Sequence, residues 1–134
     1  MVCLDSDVLI NFLRNDIKTI RLLEKLREDG EKLATTSINS FELLKGIPKS
    51  SRMSKSSMFE FLSNFKIYNF DLSSSEKAAE IFGYLKSKGE IIELPDILIA
   101  AIAITNNEKI MTKNIIHFKR IGELKVLDNW IRNL

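Results

Sequence analysis

The stretch Leu4-Asp5-Ser6-Asp7-Val8-Leu9-Ile10, with the apolar Val2-Cys3 just before it, decides how this chain folds. Apolar residues run straight into an acid, a hydroxyl and a second acid, and then resume at once. The run Val2–Leu4 fits a short buried strand, which puts Asp5 at its carboxyl end. Asp7 can N-cap a short helix over Val8–Leu13. A strand that feeds directly into a helix is the opening of an alternating α/β chain.

The alternation continues downstream. Ile17, Ile20, Leu23 and Leu26 recur with charges between them, an amphipathic helix over Ile17–Asp29 that Gly30 stops. Leu33–Thr35 reads as a strand, and Ser37 caps a helix that ends at Gly46. The biased patch Pro48–Ser57 reads as a loop leading into a helix over Met58–Phe65, with a strand at Ile67–Phe70. Ser73-Ser74-Ser75-Glu76 has capping-box spacing, and Ala78, Ile81, Phe82 and Leu85 carry that helix to Lys88. Pro95 suits the first turn of a helix to Asn106. Lys109–Thr112 and Val126–Leu127 read as further strands. This order predicts a parallel sheet covered by helices on both faces, with any ligand outside the carboxyl ends of the strands.

Bulk properties narrow the alternatives. A chain of 134 residues, 45% hydrophobic and 28% charged, has the length and composition of one soluble domain. Its net charge of +2 does not argue for nucleic-acid binding by itself. The distribution says more: Lys45, Lys49, Arg52 and Lys55 form one basic stretch, and Lys109 to Lys125, broken only by Glu123, forms another. Each is either solvated surface or a set of phosphate contacts. Cys3 is alone, which excludes an intramolecular disulfide and leaves a small buried hydrophobe. Nothing at the N-terminus resembles a signal peptide, and the longest apolar run, Ile97–Ile104, is too short to span a bilayer. A cytoplasmic protein is the default expectation.

The acids are the unusual feature. Asp5 follows a buried strand directly and has no routine structural task there. Asp96 is the one charge before the end of Pro95–Asn106, a helix apolar on every face. A helix N-terminus offers a carboxylate about 0.3–1 kcal/mol. Leaving it buried and unpaired costs several kcal/mol, so it needs water, a hydrogen-bond partner or a cation. Glu42 borders a stripe formed by Ile38, Phe41 and Leu44. In isolation Asp7 is a cap, Glu42 a solvent-facing charge, and Asp96 a helix-start residue or a functional one. Together Asp5, Glu42 and Asp96 would make an all-oxygen cluster of the kind that Mg²⁺ or Mn²⁺ takes.

Four stretches, in order along the chain, carry a resemblance. The segment LDSDVLI is similar to a D-[ST]-[DN]-x-[LI] signature, and TSINSFELLKG to an E-L-x-x-G setting. LPDILIAAIA is similar to D-x-x-I-A-A, and MTKNIIHFKRI to a T-x-[ND]-x-x-x-F region. The chain thus resembles the PIN-domain ribonucleases, and within them the VapC-type toxins of prokaryotic toxin–antitoxin pairs.

The resemblance implies a three-layer α/β/α fold with a short, mostly parallel central sheet, and a metal-dependent endoribonuclease. It implies that Asp5, Glu42 and Asp96 bind Mg²⁺ or Mn²⁺, with Ser6, Asp7, Thr112 and Asn114 in support. Many relatives have an aspartate where Asn114 stands, so one ion is expected rather than two. Lys113, His117, Lys119 and Arg120 are candidate RNA contacts. The implied partners are RNA, a VapB-like antitoxin and a second copy of the chain. The alternatives are a PIN nuclease of RNA maturation or decay without an antitoxin, and a decayed module that only binds RNA or protein. A response-regulator-like phosphoacceptor fits poorly, because no later strand end offers the required lysine and second aspartate.

Overall fold

A computed structural model describes residues 1–47 and 54–127. Within them the elements run β1 (Val2–Leu4), α1 (Ser6–Leu13), α2 (Ile17–Glu28), β2 (Leu33–Thr36), α3 (Ser37–Lys45), α4 (Lys55–Leu62), β3 (Lys66–Tyr68), α5 (Leu72–Ser87), α6 (Leu94–Thr105), β4 (Lys109–Met111), α7 (Ile115–Lys119) and β5 (Val126–Leu127). The five strands form one sheet in the order β3-β2-β1-β4-β5, and every neighbouring pair is parallel.

Side-chain alternation divides the core into two layers. On one face Val2 and Leu4 of β1, Leu33 of β2 and Met111 of β4 pack with Val8, Leu9, Leu23, Leu43, Met58 and Leu62 from α1 to α4. On the other, Ile110 of β4 packs with Ala78, Ile81 and Leu85 of α5, Ile97, Ile99, Ala100, Ala101 and Ala103 of α6, and Phe118 of α7. Helices thus cover both faces, the three-layer α/β/α arrangement. The α6 segment from Ile99 to Ala103 is fully buried, which accounts for its lack of polar residues. Among the described residues no helix is long and apolar enough to cross a membrane.

The chain runs from β1 outward to β2 and β3, then returns to the other side of β1 for β4 and β5. The crevice between the carboxyl ends of β1 and β4 is therefore the switch point where such sheets bind ligands.

Several local details differ from the sequence-based expectations. Asp5, not Asp7, caps α1, its carboxylate accepting from the Ser6 N–H at 2.8 Å. The β1–β4 ladder runs on to Asp5, whose N–H donates to the Met111 carbonyl at 3.0 Å, so the chain turns into the helix two residues early. Thr36 rather than Ser37 caps α3, and Asp71 with Ser74 forms the capping box of α5 instead of Ser73 with Glu76. Ser54 caps α4, which starts at Lys55 rather than Met58, and β3 spans Lys66–Tyr68 rather than Ile67–Phe70. Residues 48–53 of the expected loop, with Lys49 and Arg52, lie outside the described residues. Gly30 stops α2 as expected, at a φ of +83° that favours glycine. On α3 the inward positions are Asn39 and Leu43, whereas Phe41 is 61% exposed and sits under the Lys45 ammonium.

Candidate active site

The ends of β1, β2 and β4 each hand over to a polar residue at one edge of the sheet. Asp5 follows β1, Thr36 ends β2 and caps α3, and Thr112 follows β4. Asp5 is only 7% exposed, and a buried carboxylate needs donors on both oxygens. Oδ1 accepts from the Ser6 N–H and from Asn39 Nδ2 at 3.0 Å. Oδ2 accepts from the Thr112 hydroxyl at 2.7 Å.

Glu42 lies in the second turn of α3, and its Oε1 accepts from Ser6 Oγ at 2.9 Å. Asp96 lies in the first turn of α6, where Oδ2 accepts from Asn114 Nδ2 at 3.3 Å. The expected site acids thus belong to one hydrogen-bonded edge. Burial, then the charges of Asp5 and Glu42, push the Asp96 carboxyl up to about 6. Among the described residues no three His, Cys, Asp or Glu side chains form a ready-made ligand set. A shared ion would have to gather these side chains, of which Glu42 and Asp96 are half buried.

The supporting residues divide by role. Thr112 is fully buried, and its hydroxyl accepts from the Asn114 N–H at 3.0 Å while donating to Asp5. Asp7 sits in the first turn of α1 and reaches across to the segment after β4, where Oδ2 accepts from the Lys113 N–H at 2.9 Å. Its other oxygen is buried without a hydrogen-bond partner. Burial and the neighbouring Asp5 charge push the Asp7 carboxyl up to about 6. Asn114 Nδ2 also lies 2.9 Å from His117 Nδ1, a contact that a neutral ring accepts when its proton is on Nε2. His117 Nδ1 is 4.0 Å from Asp96 Oδ2. Lys113, Lys119 and Arg120 are exposed around α7.

Asn39 is the residue that the sequence-based reading missed. It is fully buried yet polar, and it touches both Asp5 and Ser6. Its signal was a second polar residue one turn before Glu42 on the same helix face. Apolar periodicity does not register such a residue.

The sequence matches the PIN domain over residues 2–124. The chain belongs to the PIN-domain family. Ribonuclease VapC2 of Rickettsia felis is 38% identical over 100 residues, covering 73% of this chain and 74% of that protein. Ribonuclease VapC1 of Methanocaldococcus jannaschii is 32% identical over 129 residues, covering 95% and 87%. Among solved structures, VapBC2 from Rickettsia felis bound to a DNA fragment from its promoter superposes with a TM-score of 0.84 at 30% identity, over 95% of this chain and 98% of that one. Nucleases of the PIN-domain family depend on metal. Carboxylate oxygens that oppose one another at a half-buried edge fit that requirement in their chemistry.

Proposed function

We propose that this chain is a metal-dependent endoribonuclease, one nuclease domain across residues 1–134, that hydrolyses RNA phosphodiester bonds as the toxin of a toxin–antitoxin pair. The observation that carries the reading is that Asp5, Glu42 and Asp96 come from three separate elements to the switch-point edge of a PIN-domain sheet. An all-oxygen, uncompensated donor set favours Mg²⁺ or Mn²⁺ over softer metals. Asp5, Glu42 and Asp96 are the side chains that would hold the ion. When bound, such an ion polarises phosphoryl oxygens and lowers the pKa of an attacking water.

The remaining chemistry falls to the chain. Ser6 and Thr112 orient Glu42 and Asp5 through donated hydrogen bonds. Asp7 pins the segment after β4 to α1 through the Lys113 N–H. Asn114 supplies Asp96 with a donor in place of a fourth charge, which supports a reading with one ion rather than two and with the amide serving the site. Lys113, Lys119 and Arg120 offer cationic contacts for RNA phosphates, and His117 offers its Nε2–H. By likeness to the VapBC2 complex, the protein partner is a VapB-like antitoxin; a second copy of this chain and a cytoplasmic location belong to the same toxin reading.

The test is brief expression of the wild type and of Asp5→Asn, followed by sequencing of RNA 5′ ends. New ends at a shared motif in the wild type alone are expected. Indistinguishable end profiles for the two proteins contradict the proposal.

A further inference from the structure

The carboxamide of Asn39 occupies the centre of the buried network, with both of its N–H protons donated and its oxygen accepting. Oδ1 accepts from the Thr36 hydroxyl at 2.7 Å, while the two Nδ2 protons go to Asp5 Oδ1 at 3.0 Å and Ser6 Oγ at 2.9 Å. Its orientation is therefore fixed. Turned over, the amide would set its carbonyl against the Asp5 carboxylate and its NH₂ against a hydroxyl proton.

From this geometry we infer that Asn39 is a positioning residue, holding Asp5 and, through Ser6, Glu42 in the arrangement that receives the cation. The inference rests on the nuclease reading above. Because Ser6 Oγ accepts from Asn39, its own proton is directed to Glu42 Oε1 at 2.9 Å. One neutral group on the first turn of α3 thus serves two carboxylates from different elements.

Capping does not require this side chain, since the Asn39 backbone N–H already donates to Thr36 Oγ1 at 3.2 Å. Neutrality also matters. A lysine or arginine at this position would cancel the charge that attracts a cation, whereas an amide satisfies lone pairs and leaves the charge in place.

Asn39→Leu keeps the approximate volume and removes every donor. The test measures Mn²⁺ affinity of the full chain by calorimetry, with RNA cleavage, RNA KM and thermal melting alongside. The variant is expected to bind Mn²⁺ about 10–100-fold more weakly, with cleavage reduced in parallel and RNA KM within about twofold of wild type. Folded Asn39→Leu protein with wild-type Mn²⁺ affinity overturns the inference. Should that variant not fold, the wild type decides by NMR. The Asn39 side-chain NH₂ signals are expected to be shielded from exchange and to shift as Mg²⁺ saturates the protein, and signals unmoved by Mg²⁺ overturn the inference. Asp5→Asn separates the two levels of argument. If the wild type binds Mn²⁺ and Asp5→Asn does not, a normal Asn39→Leu removes this inference alone. If the wild type binds no Mn²⁺, or Asp5→Asn binds as well as the wild type, the nuclease reading fails and this inference with it.

Discussion

The two edges of the sheet treat acidic residues in opposite ways. At the amino edge, Glu31 lies 3.3 Å from the Met1 ammonium and 3.5 Å from Lys109, and Glu108 lies 3.7 Å from the same ammonium. The hydrogen bond from that ammonium holds the Glu31 carboxyl below its usual range. At the carboxyl edge, Asp5, Asp7, Glu42 and Asp96 are supported by neutral donors, namely hydroxyls, amides and backbone N–H groups. His117 Nδ1 lies 4.0 Å from Asp96 Oδ2 there, and it is charged only when protonated. Opposite charges placed side by side offset one another at the amino edge, although Glu108 Oε2 is buried there without a hydrogen-bond partner. Acids held by neutral dipoles are not neutralised by those partners, and that is the difference the proposed ion-binding edge would use.

The largest expected effects come from removing that retained charge. Asp5→Asn and Asp96→Asn should each lower RNA cleavage by about 10²–10³-fold, measured on a defined RNA in excess Mg²⁺. Asp96→Asn should also leave the metal-free protein equally stable or about 1 kcal/mol more stable in urea denaturation, after allowance for solvent screening. An Asp96→Asn protein that is clearly less stable would mean its carboxylate is compensated like those at the opposite edge.

Next in size is Thr112→Val. Asp5 Oδ2 loses its recorded hydroxyl donor, and the Asn114 N–H loses its acceptor. Cleavage should fall about 10–100-fold, and stability by about 1–3 kcal/mol.

The pH dependence of stability should also differ between the edges. Asp7 and Asp96, raised to about 6 from an ordinary 3.8, bind protons more tightly folded than unfolded. In metal-free protein their effect is a gain in stability as pH falls from 7 through 6 towards 4. Glu31, held below its ordinary 4.5, acts in the opposite direction: its contribution is present above that value and is lost as pH falls beneath it. Urea midpoints between pH 7.5 and 4.5 in a chelator should therefore rise, and Asp7→Asn should flatten the rise. A midpoint that falls steadily over that range would contradict the assignment.

The smallest effect belongs to the amino edge. Lys109→Gln breaks a solvent-screened ion pair and should change stability by no more than about 1 kcal/mol. Cleavage should be unchanged within twofold. A large loss of cleavage would mean that the two edges are coupled.

The carboxyl edge was partly legible in the sequence, the amino edge was not, and the omissions have physical reasons. An apolar triplet running into Asp5, and a lone Asp96 ahead of an all-apolar helix, can be read because burial leaves few other tasks for a charge. The choice between Asp5 and Asp7 as cap could not be read, since both are good capping residues two positions apart. It is made by the length of the β1–β4 ladder, a tertiary quantity. The α3 stripe was misassigned because Phe41 faces outward while the polar Asn39 faces in. A pattern of apolar residues gives no weight to a buried amide whose partners lie on other elements.

The most direct test of the central claim, that Asp5, Glu42 and Asp96 gather around one divalent cation, is anomalous diffraction from crystals of the wild-type protein soaked in MnCl₂. The account predicts one strong manganese peak at the carboxyl ends of β1 and β4, within bonding distance of oxygens from those three side chains and absent from Asp5→Asn crystals. A peak elsewhere on the molecule, or none at that edge under saturating Mn²⁺, would contradict it.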